Sequence, residues 1–182
     1  LFLLTFTLIS CSQFVERRNN IGDPNADLNS DPAISEVWQV KPGSVYDGDT
    51  FRVIKGNKEL KIRMCGIDAP EKKQPLGIES RDYLRSLLAK NGDRVSIVIT
   101  DRDRYGRTVA EIFVSDGDRE IFVNGEMVRV GLAYEYKRYS GKCPNKEALD
   151  TAGKIAEANK AGVWSDPNAI APWEYRNNSR KR

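Results

Sequence analysis

From Val37 onward, apolar and polar residues alternate in short runs separated by turn residues, the pattern of half-buried strands. Thr50 to Ile54 puts Phe51 and Val53 on one face and Arg52 on the other. Leu60, Ile62 and Met64 alternate with Lys61, Arg63 and Cys65, which predicts a strand with Arg63 and Cys65 sharing its outer face. Val37 to Tyr46 is mostly extended, and Asp47-Gly48 and Lys55-Gly56-Asn57-Lys58 supply turns. Arg94 to Thr100 and Thr108 to Val114 complete five strands. Leu84, Leu87 and Leu88 recur at helical spacing within Ile78 to Lys90, a run stopped by Asn91-Gly92. Asn124 to Val130 predicts a short helix ending at Gly131. Asn145 is placed to cap a longer helix with a Leu149, Ala152 and Ala156 stripe, closed by Gly162. Five strands with about three helices predict an α+β, mainly β fold, a small OB-like barrel rather than a βαβ sheet.

The first residues break this pattern. Leu1 to Ser10 is an uncharged apolar run ending at Cys11, too short for a bilayer span of about 20 residues but the length of a signal-peptide core. Leu8-Ile9-Ser10-Cys11 resembles a bacterial lipobox, in which the cysteine carries the lipid. Ser12 to Ser35 is rich in Asn, Asp, Ser and Pro, without hydrophobic periodicity, and reads as a disordered tether. The expected organisation is signal and lipobox over 1–11, an acidic linker over 12–36, one domain over 37–176 and a basic tail over 177–182. The compartment this implies lies outside the cytoplasm, either membrane-anchored or secreted.

Composition narrows the chemistry. Among 182 residues there is no histidine, which removes Ser–His and Cys–His pairs, HExxH zinc sites and any histidine base. Catalysis must fall to carboxylates, arginine, lysine, tyrosine, cysteine or a bound metal. Residues 1–36 hold two Arg against five Asp and Glu. With 29 basic and 26 acidic residues in the chain, the remainder holds 27 against 21, a net of +6. A basic body behind an acidic lead suits a polyanion partner.

Three charged clusters stand where strands end: Tyr46-Asp47-Gly48-Asp49-Thr50, Arg63-Met64-Cys65-Gly66-Ile67-Asp68-Ala69-Pro70-Glu71 and Asp103-Arg104-Tyr105-Gly106-Arg107. Each alone reads as a polar turn. Together they offer carboxylates for a hard cation, arginines able to grip phosphate oxygens in bidentate fashion and a carboxylate base. These are the parts for water attack on a phosphodiester without imidazole.

The order D-G-D-T, then R-x-x-G-I-D-A-P-E, then D-R-Y-G-R, then a Tyr-rich segment resembles the staphylococcal nuclease (thermonuclease) family from about Val37 to Arg176. The closing Pro172-Trp173-Glu174-Tyr175-Arg176 is similar to the end of many bacterial members. The resemblance implies an OB-like barrel with three helices and a Ca²⁺-dependent endonuclease that cleaves DNA and RNA with little sequence selectivity, leaving 3′-phosphate ends. It implies Asp49 and Asp68 as Ca²⁺ ligands, with Ala69 contributing a backbone carbonyl where the family often has Thr. Glu71 matches the carboxylate that orients or deprotonates water, and Arg63 and Arg107 match the phosphate clamp. Arg104 and Tyr105 match substrate contacts. Tyr134, Tyr136 and Tyr139 fall where the family places its nucleotide-pocket tyrosines, and the choice among them stays open. Lys72 and Lys73 begin a loop that can meet the nucleic-acid backbone.

Cys65 and Cys143 form an even pair in an oxidising compartment and are expected to join in a disulfide. The expected partners are nucleic acid and, through a lipidated Cys11, the membrane, with no obligate protein partner and a monomeric state. The rival reading is an OB-fold module that binds nucleic acid at the cell envelope without cleaving it. The intact set Asp49, Arg63, Asp68, Glu71 and Arg107 favours the enzyme.

Overall fold

A computed structural model describes residues 36–181; the signal, lipobox and linker expectations, Cys11 among them, lie outside these residues. Strand β1 (Glu36–Val40) pairs antiparallel with β2 (Thr50–Lys55) and with β5 (Arg94–Arg102), β2 with β3 (Lys58–Met64), and β5 with β6 (Thr108–Asp116). A parallel pairing of β3 with β6, Arg63 opposite Val109, closes these five strands into a barrel. Closure leaves none of the five with an open hydrogen-bonding edge. The expected α+β, mainly β, OB-like architecture is therefore found, with more helices than the expected three. They are α1 (Gly77–Ala89), α2 (Val123–Arg129), α3 (Lys137–Ser140), α4 (Lys146–Ala158) and α5 (Pro172–Arg180), with a 3₁₀ turn at Gly162–Trp164. Helix α5 runs past Arg176, where the domain was expected to end.

The alternating residues fill the barrel. Phe51, Val53, Ile62, Met64, Val95, Ile97, Ala110 and Ile112 are all buried. Helix α1 covers one side with Leu84, Leu87 and Leu88, and α4 lays down Leu149, Ala152 and Ala156. Each fully buried leucine contributes about 1.5–3 kcal/mol of apolar transfer. Buried Asn124 fastens α2 to the barrel, accepting from Ile112 N–H (2.9 Å) and donating to the Cys65 carbonyl (2.9 Å).

Two local expectations are corrected. Asn145 stands before α4, but its side chain makes no cap. Its Nδ2 and backbone N–H instead donate to the buried Glu111 carboxylate at 2.6 and 2.8 Å. A carboxylate with no other outlet outcompetes the capping geometry. Cys65 does not share an exposed outer face with Arg63. The strand ends at Met64, the chain turns at Gly66 (φ +71°), and Cys65 is buried. There Cys65 is bonded to Cys143, with a Cα–Cα distance of 5.9 Å. A Cβ on Gly66 would stand 2.6 Å from Leu149 Cδ1 and 2.9 Å from Cys143 Sγ, so only glycine fits this turn.

Three short strands went unread in the sequence, one of them β7 (Arg119–Phe122), which pairs antiparallel with β6. In β4 (Ile67–Asp68) and β8 (Tyr134–Glu135), Asp68 stands opposite Tyr134. This small ladder brings the Tyr-rich segment beside the second charged cluster.

Candidate active site

The three charged clusters are set by the barrel. Thr50, first residue of β2, pairs with Arg63 on β3, which carries the guanidinium toward the residue just before the strand, Asp49. Arg63 Nη1 lies 2.7 Å from Asp49 Oδ2, and Arg63 Nη2 lies 2.8 Å from Asp68 Oδ1. One guanidinium is bracketed by two carboxylates. Its Nη1 is buried against Asp49 as an ion pair.

Asp49 is buried and further held by Thr50 Oγ1 (2.9 Å) and by the Ala69 N–H (2.8 Å), both donating to its carboxylate. Gly48 lets this loop lie against α1, because a Cβ there would collide with the Ser80 side chain. Ser80 is itself buried, donating to the Leu132 carbonyl at 2.6 Å. Asp47 Oδ1 accepts from the Asp49 N–H at 3.1 Å. Burial, and then the neighbouring Asp49 charge, push the Asp47 carboxyl up to about 7. Burial likewise raises the Asp68 carboxyl, against the pull of the Arg176 and Arg63 guanidiniums.

Glu71 lies on the loop after β4, one-third exposed. Its backbone N–H donates to Gln74 Oε1 (2.9 Å), and the Gln74 amide in turn donates to the Ile170 carbonyl (2.9 Å). The loop is thereby tied to the segment that leads into α5. From α5, Arg176 reaches Glu71 Oε1 (2.8 Å) and both oxygens of Asp68 (3.2 and 2.6 Å). Arg176 is a site residue that the sequence reading passed over. Its only signal was the arginine closing Pro172-Trp173-Glu174-Tyr175-Arg176.

Arg107 is not drawn into this cluster. It stands at the end of the β5–β6 hairpin, where its Nε donates to Asp103 Oδ2 at 2.7 Å. Although burial pushes Asp103 up, the backbone N–H and guanidinium of Arg107 hold it below the usual carboxylate range. The next residue, Thr108, pairs with Ile62 on β3, so the hairpin end stands beside the strand that carries Arg63. Arg104 and Tyr105 project from the same hairpin, both exposed, with Arg104 Nη2 donating to Tyr105 Oη at 2.8 Å.

The three tyrosines separate. Tyr134 is buried, edge-on to Trp164 (5.3 Å between centroids) and Trp173 (5.6 Å). Tyr136 stacks on Trp173 at 4.9 Å and 7°, and Tyr139 is exposed, edge-on to Tyr136. Tyr134, Tyr136, Trp164 and Trp173, but not Tyr139, border a cavity of about 560 Å³, whose rim carries both Lys137, Arg138 and Lys154 and Glu135, Asp150 and Glu157. Trp164 and Trp173 escaped the sequence reading because tryptophan in a helical segment reads as ordinary core.

The donor set around Arg63 is all oxygen, which suits a hard cation rather than a thiophilic or imidazole-seeking one. Two carboxylates, Asp49 and Asp68, converge on the Arg63 guanidinium. Among the described residues, no group of three or more Asp, Glu, Cys or His gathers at metal-holding distance. A cation here would complete its shell with backbone carbonyl, of which Ala69 is the expected source, with water and with substrate.

Comparison with known proteins gives the same direction. Residues 61–166 match the family described as staphylococcal nuclease homologue. The chain is 39% identical over 132 residues to an uncharacterized endonuclease of Escherichia coli, covering 72% of this chain and 80% of that protein. It is 34% identical over 141 residues to micrococcal nuclease of Shigella flexneri, covering 75% and 79%. A staphylococcal-like nuclease of Arabidopsis thaliana is 33% identical over 123 residues, covering 68% of this chain and 35% of the plant protein.

Proposed function

The chain belongs to the staphylococcal nuclease family and is an endonuclease, and from that premise we propose that it is a Ca²⁺-dependent phosphodiesterase acting on DNA and RNA. The supporting observation is the Arg63 guanidinium, itself partly exposed, bracketed by Asp49 and Asp68 at the end of the barrel. A phosphate oxygen is the acceptor that such a donor fits.

Asp49 and Asp68 would hold the cation, with the Ala69 carbonyl. When bound, it would supply Lewis-acid polarisation of the phosphate and make a nearby water more acidic. Arg63 and Arg107 hold the non-bridging oxygens and balance the charge that builds up on them in the transition state. Glu71 orients a water and accepts its proton. The water oxygen bonds to phosphorus, the bond from phosphorus to the 5′ oxygen breaks, and that oxygen takes up a proton from solvent water. The products are a 3′-phosphate and a 5′-hydroxyl. Arg104 and Tyr105 contact the adjoining backbone. Tyr136 and Tyr139 offer rings for sequence-tolerant stacking, and buried Tyr134 shapes the floor beneath them. The apolar run ending at Cys11 and the Cys65–Cys143 bridge support an extracytoplasmic, lipid-anchored enzyme.

The test is incubation of the purified chain with plasmid and with RNA, in Ca²⁺ or in excess chelator. Both substrates should be degraded only with Ca²⁺. Degradation that persists in chelator would remove the cation requirement, and no degradation with any divalent cation would leave a binding module.

A further inference from the structure

Helix α5 presents two residues one turn apart to two parts of the site. Trp173 stacks on Tyr136, and Arg176 lies on Asp68 and Glu71. Positions three apart share a helix face, so one short helix covers the aromatic cavity and the carboxylates together. The helix is firmly seated. Ala171 and Pro172 are buried, the Ile170 carbonyl accepts from Gln74, and Gln74 also accepts from the Glu71 N–H. The guanidinium is thus delivered by packed structure and reaches a carboxylate whose side chain is only 1% exposed.

The Asp68 oxygens are in demand. Oδ1 accepts from Arg63 and Arg176, and Oδ2 accepts from Arg176 at 2.6 Å. A divalent cation on Asp68 needs one of those lone pairs and repels a guanidinium held a few ångströms away. Both cannot keep the carboxylate in full. We propose that Arg176 is a further residue of the cation site, a built-in competitor for Asp68 that sets the Ca²⁺ concentration at which the enzyme becomes competent. This rests on the reading of Asp49 and Asp68 as cation ligands. On cation binding, Arg176 gives up Asp68 and keeps Glu71, or passes to the arriving phosphate, whose oxygens offer it the same bidentate geometry.

The measurement is calorimetric titration of Ca²⁺ into the full chain without substrate, for wild type, Arg176→Gln, Arg176→Lys and Asp49→Asn. Arg176→Gln removes the charge and should bind Ca²⁺ roughly tenfold more tightly or better, the scale of a charge-assisted hydrogen bond that no longer competes. Arg176→Lys keeps the charge without the fork and should fall between Arg176→Gln and wild type. Thermal melting gives a second readout: the rise in Tm on adding Ca²⁺ should be larger for Arg176→Gln, and for Arg176→Lys should the first variant fail to fold. Equal affinities, or weaker binding on removing Arg176, would overturn the competition. Wild type that does not bind Ca²⁺, or binds it undiminished in Asp49→Asn, would instead overturn the ligand assignment beneath it.

Discussion

Arg63 stands across the β2–β3 ladder from Thr50, and this register places its guanidinium 2.7 Å from the carboxylate of Asp49, fourteen positions earlier in the chain. The pair is the point where barrel geometry becomes chemistry. A strand fixes the arginine, a turn fixes the aspartate, and neither can shift without breaking backbone pairing.

Arg63→Ala should lower kcat by about 10²–10³, the cost of removing one donor aimed at developing transition-state charge, with KM changing far less. Steady-state kinetics on a single-stranded oligonucleotide measure this. A drop within about threefold would show that Arg63 is not at the reacting phosphate.

Glu71→Gln separates chemistry from fold. The side chain is one-third exposed, and Gln retains an oxygen for Arg176, so Tm should move little. Activity should fall by about 10²–10⁴, the usual worth of a positioned general base. Full activity in a folded variant would remove Glu71 from the reaction.

The disulfide closes a separation of 78 residues, for which the chain-entropy model gives about 4.5 kcal/mol. Denaturant melts with and without reductant should differ by that order, and alkylation of the unreduced body should find Cys65 and Cys143 unreactive. Two reactive thiols after purification without reductant would contradict the bridge.

Asp47 makes a pH prediction. Its folded pKa of about 7 lies above the ordinary 3.8, so the fold holds a proton that the unfolded chain releases. The stability this contributes is complete below about pH 4 and is lost as pH rises through about 7. Asp47→Asn, which mimics the protonated carboxyl, should remove that share of the decline. Chemical denaturation of both proteins in chelator at pH 5 and pH 8 tests it, and parallel curves would show that Asp47 does not titrate there.

The strands, the α1 leucines and the α4 stripe were legible because burial in this barrel follows local periodicity. That Asp49, Arg63 and Asp68 stand at strand ends was legible from the alternation and the turn residues beside it; the roles expected of them and of Glu71 came from the resemblance alone. What escaped depends on distant chain. Arg176 touches Asp68 across 108 residues, and no local pattern distinguishes it from the other arginines of a basic C-terminus. The burial of Cys65 follows from the turn at Gly66, where the alternation stops. Asn145 lost its capping role to a glutamate on β6. Arg107 shares the barrel end with the cluster yet is held by Asp103, four residues away in its own hairpin.

The most direct test of the central claim is cleavage of a defined oligonucleotide in ¹⁸O-water with Ca²⁺, read by mass spectrometry of the products. Water attack at phosphorus with loss of the 5′ oxygen predicts one ¹⁸O in each new 3′-phosphate, unlabelled 5′-hydroxyl ends, and no products from Arg63→Ala over the same interval. Labelled 5′-phosphate ends, or intact oligonucleotide with wild type, would contradict the account.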